Sequence, residues 1–171
     1  MLVRTTDLYH TFQNVLRPWT PLLLRLIVGY GFMAHGYAKF TRGPEQFIGI
    51  LTSIGIPMPQ LMGWATIIVQ LLGGLCMVLG TCVLFWSIPM AAILIVAAVT
   101  VHWPYGFSSI KLQSVIDGRA QFGQPGYETD LLYLVCLAVL VVGGAGPYAV
   151  DNMLARKMDR AVCVDQVDKV S

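Results

Sequence analysis

Apolar residues run almost unbroken through four stretches of this chain, and polar residues gather between those stretches and at their ends. Residues 46–110 contain no Asp, Glu, Lys or Arg, which is 65 consecutive positions without a charge. A soluble fold cannot dress its surface with such a segment, because exposed positions are normally supplied by charged and polar side chains. A helix that crosses the hydrocarbon layer needs about 20 mostly apolar residues. The pattern predicts four such helices, over 21–40, 61–80, 83–103 and 129–146. Thr20 is expected as the N-cap of the first, with Pro21 at its first helical position. The breaker GIPMPQ precedes the second, Pro89 bends the third, and GGAGP stops the fourth.

Three segments lie outside these helices. Leu8, Phe12, Val15 and Leu16 recur at helical spacing between Asp7 and Arg17, which predicts an amphipathic helix lying on the membrane surface. A second short helix is expected over 44–53. Residues 104–127 form a polar, glycine-bearing connection, long for a helical bundle, of the kind that more often serves as a lid or docking surface than as a spacer. The expected architecture is therefore an all-α integral membrane four-helix bundle with an N-terminal interfacial helix. Residues 1–20 form its first segment, 21–150 the membrane domain and 151–171 a polar tail.

Composition sharpens this picture without changing it. The chain of 171 residues is 56% hydrophobic and only 12% charged, against about a quarter charged in soluble domains, and its mean hydropathy is +0.68. The net charge of +2 is spread out rather than gathered in a stripe, so nucleic-acid binding is not expected. Cys76, Cys82, Cys136 and Cys163 form no CxxC and no metal-ligand spacing. Cys76 and Cys136 read as small apolar fillers. The first twenty residues hold no apolar run after a basic start, so no cleavable signal peptide is expected.

Four spans put both termini on one side. Arg4, Arg17, Arg156, Lys157, Arg160 and Lys169 lie on that side, against Lys39, Arg42, Lys111 and Arg119 on the other. The excess predicts cytoplasmic termini. The same topology gathers polar residues at the opposite face. His35 and Lys39 end the first span, His102 ends the third, and Glu128 and Asp130 open the fourth, with Gln70 nearer mid-membrane on the second. At about 100° per residue, Arg25, Gly29, Phe32, Gly36 and Lys39 fall on one stripe with His35 at its edge. Gly63, Gln70 and Gly74 share a face of the second span, and such small residues let helices approach closely in lipid.

These positions define a candidate pocket of His35, Lys39, Gln70, His102 and Glu128. Each also has a plainer reading. Lys39 can snorkel to the interface, and His102 beside Trp103 can be interfacial. His35, a turn deeper, is harder to explain that way. Arg25 and Asp151 are expected to form a structural ion pair near the other face.

At these residues the chain resembles the DoxX family of small four-helix membrane proteins. LLLRLIVGYGFMAHGYAKF is similar to the family's Arg, Gly and His-Gly-x-x-Lys pattern, and QLLGGLCMVLG to its E-x-x-G-G-x-x-x-x-x-G. GIPMP, the His102 that ends the third span, GYETDLLY and GAGPYAVDNML complete a likeness over about 21–154. One departure is Gln70, where the family often has glutamate; an amide keeps the donor and acceptor but loses the titration.

The resemblance implies membrane redox chemistry, since one branch of the family is a subunit of a thiosulfate:quinone oxidoreductase. The expected function is thus a subunit or partner of a quinone-linked oxidoreductase in the cell inner membrane, with a redox partner protein or a second copy as candidate partners. A non-catalytic anchor or assembly factor is the alternative, favoured by the absence of any flavin, Fe–S or dithiol motif. A b-type haem between His35 and His102 is disfavoured, no metal site is expected, and transport would need an oligomer.

Overall fold

The structure, a computed structural model, describes residues 10–157. Helix α1 covers 10–16 and is followed by α2 (Thr20–Arg42) and α3 (Pro44–Ser53). Helix α4 (Pro59–Leu79) contains a π-helical turn at Val69–Gly73. Helix α5 (Val83–Tyr105) contains a second one at Ala98–His102 and closes in a 3₁₀ turn at Trp103–Tyr105. Strands β1 (Leu112–Ile116) and β2 (Arg119–Phe122) come next, then α6 (Glu128–Gly143) and α7 over 150–157.

Local chemistry sets most of these limits. Pro21, Pro44 and Pro59 each lie in a first turn, where the missing N–H costs nothing. Gly43, Gly80 and Gly144 end helices at positive φ, a conformation that glycine adopts without strain. Thr20 is not the N-cap that the sequence predicts. Trp19 holds that position, and the Thr20 hydroxyl donates back to the Leu16 carbonyl at 3.5 Å. Leu8 and Asp7 lie outside the described residues. Phe12, Val15 and Leu16 are exposed.

The four long helices run antiparallel to their neighbours. Helix α2 packs along α4, while α6 packs on α5 and α2. Glycines make the first contact close. A Cβ on Gly29 would lie 2.5 Å from the Gly74 carbonyl oxygen, and one on Gly74 would lie 2.7 Å from that of Gly29. The core is built from Val28, Phe32, Met77, Met90, Leu137 and Leu140, with Phe32 edge-on to Tyr133 at 5.9 Å. The outward faces are just as apolar: Leu23, Ile27, Leu84, Ile88, Val99, Leu132 and Val142 are all exposed. Apolar residues both inside and outside suit a body solvated by lipid. Among the described residues, two helices, α4 and α5, are long and apolar enough to cross a membrane.

The expectation of an all-α chain needs one correction. Part of the 104–127 connection folds into an antiparallel hairpin, pairing Leu112 with Phe122 and Ile116 with Arg119. Asp117 and Gly118 take φ of 49° and 72° at its tip. Two successive positive φ values make the type I′ turn that matches the twist of paired strands, and Asp-Gly is a favoured sequence for it.

Candidate functional site

Lys39 sits in the last turns of α2, and its Nζ donates to Gln70 Oε1 at 3.0 Å. The same ammonium stands 5.0 Å from the centre of the Phe47 ring on α3, close enough for a cation–π contact. Gln70 is buried, 5% exposed, within the π turn of α4. Gly36 makes the pair possible, since a Cβ there would lie 2.9 Å from the Cβ of Gln70. A second polar pair joins α5 to α6. His102 Nδ1 lies 2.5 Å from Asp130 Oδ2, with the carboxylate side chain 8% exposed. His102 also occupies a π turn. Such a turn inserts one residue into a helix and rotates the remainder of that helix about its axis, and π turns are frequent at functional sites.

His35 lies one turn before Lys39 on α2. Lys39, Asp130 and His102 are the ionisable groups whose fields reach its imidazole. His35 is exposed, and its side chain makes no hydrogen bond among the described residues. Thus four of the five predicted pocket residues, His35, Lys39, Gln70 and His102, come together at the expected end of the helices.

Glu128 does not join them. Its Oε2 accepts from the Ser109 backbone N–H at 2.9 Å, and Ser109 also shares a 2.7 Å hydrogen bond with Thr129. This tie pins the start of the 104–127 connection to α6. Asp130 takes the inward position instead. The reason is helical phase: two residues along a helix turn the side chain by about 200°, so only one of the two acids can face the bundle. Asp130 shares its face with Leu137 and Leu140, which are buried, whereas Leu132 and Val135 lie outward with Glu128. Phe47 was likewise not anticipated.

The expected Arg25–Asp151 pair is not made. Arg25 is fully buried, and Nε, Nη1 and Nη2 have no hydrogen-bond partner among the described residues. The guanidinium lies against Gly80 and Ala149 at the C-terminal end of α4. Asp151 Oδ2 accepts from the Cys82 N–H at 2.6 Å, at the start of α5. Each charge therefore sits at the helix terminus of opposite polarity, where the macrodipole favours it. An open groove of about 500 Å³ at this end is lined by Asn14, Arg17, Pro21 and Gly146 among others, far from the polar pairs.

The DoxX family profile matches residues 20–103, which include Arg25, His35, Lys39, Gln70 and His102. The chain belongs to the DoxX family. This DoxX chain is similar to a Haemophilus influenzae protein named "Uncharacterized protein", at 30% identity over 144 residues, 82% of this chain and 95% of that one. It is also similar to a Bacillus subtilis protein named "Putative oxidoreductase CatD", at 32% identity over 130 residues, 76% of this chain and 83% of that protein. No solved structure matches it. Family and hydropathy together make this DoxX chain a membrane protein.

Proposed function

We propose that this DoxX protein crosses a cell inner membrane four times with both termini cytoplasmic. In this reading it holds the headgroup of a membrane quinone at the His35 cluster, as a subunit or partner of an oxidoreductase. The 23 residues of α2 extend about 34 Å at about 1.5 Å per residue, enough to span, and α6 completes the bundle beside it. The exposed apolar side chains of α1 suit an interfacial helix.

The observation that carries the reading is the exposed imidazole of His35, within electrostatic reach of Lys39, His102 and Asp130, whose own hydrogen bonds are already made. A quinone carbonyl needs donors near a membrane face. The Lys39 ammonium has three N–H groups and gives one to Gln70. His35 can donate from one ring nitrogen. The contact of His102 Nδ1 with the Asp130 carboxylate fixes the orientation of the imidazole at the edge of the site. Bound quinone would supply two-electron redox chemistry. The electrons would come from a cofactor on another chain, which is why a partner belongs to the proposal. The oxidoreductase named in the Bacillus subtilis relative supports the same direction.

The test is titration of decylubiquinone into the purified chain in nanodiscs. His35→Ala together with Lys39→Ala should weaken binding by tenfold or more, about 1.4 kcal/mol or above. Unchanged binding removes the proposal. A Soret band in the visible spectrum would replace quinone by haem at His35 and His102. Copurification from native membranes without any redox-cofactor protein would favour the anchor role.

A further inference from the structure

The hairpin is exposed along its whole length, yet its two faces differ in chemistry. Cross-strand partners share a face, so Val115 lies with Ala120, Leu112 with Phe122, Ser114 with Gln121 and Ile116 with Arg119. Along β2 the faces alternate, which places Ala120 and Phe122 on one side and Arg119 and Gln121 on the other. In β1, Leu112 and Val115 are three residues apart and would face opposite ways in a regular strand. The irregularity between Leu112 and Ser114 adds one residue and restores the phase. One face is therefore wholly apolar (Leu112, Val115, Ala120, Phe122), and nothing among the described residues covers it. Leu112 is 61% exposed, Val115 62% and Phe122 60%.

The position of the hairpin narrows what can cover that face. Its first strand begins seven residues after α5 ends. Its base is held shut by Gly126 N–H to the Ser108 carbonyl and Tyr127 N–H to the Gly106 carbonyl, at 3.0 and 3.1 Å. The Glu128 carboxylate, bonded to Ser109, fastens that base to α6. Trp103 stacks on Tyr127 at 5.2 Å, and Phe107 meets the same ring edge-on at 5.7 Å. Trp and Tyr are the residues that concentrate at the level of lipid headgroups. The apolar exterior of α5 thus continues through this exposed aromatic junction into the hairpin. Lys111 and Arg119 add positive charge where phosphate groups would lie.

We propose that the 112–122 hairpin is a membrane-surface element. Its Leu112–Val115–Ala120–Phe122 face rests in the headgroup–acyl boundary of the bilayer, and its Ser114–Gln121 face remains in water. An exposed apolar face of this kind is stabilised by the lipid boundary in the same way as the apolar face of an interfacial helix. The occupant is phospholipid, and the proposal stands whether or not the His35 cluster binds quinone.

The test uses the full chain with its cysteines replaced, in vesicles of phosphatidylcholine and phosphatidylglycerol. Nitroxides are attached at Val115→Cys, Phe122→Cys, Ser114→Cys and Gln121→Cys in separate samples. The expected result is an oxygen-to-nickel-chelate accessibility ratio several-fold higher at positions 115 and 122 than at 114 and 121. Equal access of the nickel chelate to all four overturns the proposal. So does dipolar broadening at 115 and 122 that disappears on dilution with unlabelled chain, which would make a second copy the occupant. Should the cysteine-free chain fail to fold, Val115→Trp and Gln121→Trp in the native background provide the same contrast. Brominated lipid should then quench the added fluorescence of the first several-fold more than that of the second, and equal quenching overturns the proposal.

Discussion

Helix α2 carries a cation near each end, and the molecule treats the two differently. Lys39 donates one hydrogen bond to Gln70 Oε1 and lies over the ring of Phe47. Arg25, one turn into the helix from its other end, is more deeply buried and has no hydrogen-bond partner among the described residues. The neighbours explain the contrast. At the Lys39 end, Gly36 lets α4 approach until an amide oxygen reaches the ammonium. At the Arg25 end the nearby carboxylate, Asp151, is engaged by the Cys82 N–H, and the guanidinium lies against Gly80 at the carbonyl end of α4. A helix terminus offers a partial charge of about half a unit, which offsets some of the cost of burial but does not replace a hydrogen bond. The Lys39 end is thus a set of satisfied pairs with one exposed imidazole. The Arg25 end holds unmet hydrogen-bonding capacity, whose desolvation cost the helix terminus offsets only in part.

Gly29→Leu attacks what both ends share. Its side chain would be driven into the Gly74 carbonyl, separating α2 from α4, and should cost about 3 kcal/mol in thermal unfolding of the detergent-solubilised chain. A small loss would mean that the two ends do not depend on this contact.

Asp130→Ala and Glu128→Ala sharpen the Lys39 end. Removing the Asp130 carboxylate should cost about 2–3 kcal/mol, because it leaves the partly buried His102 imidazole without its hydrogen-bond partner. Glu128→Ala should cost less and leave decylubiquinone affinity unchanged. The reverse order would return Glu128 to the site.

Arg25→Met tests the other end and carries the smallest effect. Replacing an unpaired buried charge by an apolar side chain of similar length should leave stability unchanged or raise it by about 1 kcal/mol. A clear loss in the same melting experiment would reveal a partner for the guanidinium.

Much of this architecture is legible in the sequence. The limits of α2, α4 and α5 fall within about two residues of those read from apolar runs and prolines, because helix ends are set by local chemistry. The gathering of His35, Lys39, Gln70 and His102 comes from counting helices and their direction. Choosing between Glu128 and Asp130 does not. In a soluble helix the apolar stripe would have marked the inward face, but α6 is apolar all round and carries no such mark. The hairpin did have a signal, Asp117-Gly118 directly after the β-branched Val115 and Ile116, which the general polarity of 104–127 obscured.

By itself the sequence determined that this is a membrane protein of the DoxX family, where α2, α4 and α5 begin and end to within about two residues, and which polar residues gather toward one end of those helices. Hydropathy and helical rise are properties of a segment alone, so no neighbour is needed to read them. The tertiary structure decided that Asp130 rather than Glu128 meets His102, that Asp151 bonds the Cys82 N–H instead of Arg25, and that both Gln70 and His102 occupy π turns. Those outcomes depend on how each helix is rotated about its own axis. When core and lipid are equally apolar, that rotation is fixed only by close packing, such as Gly29 against Gly74, and by the few polar groups that must find one another.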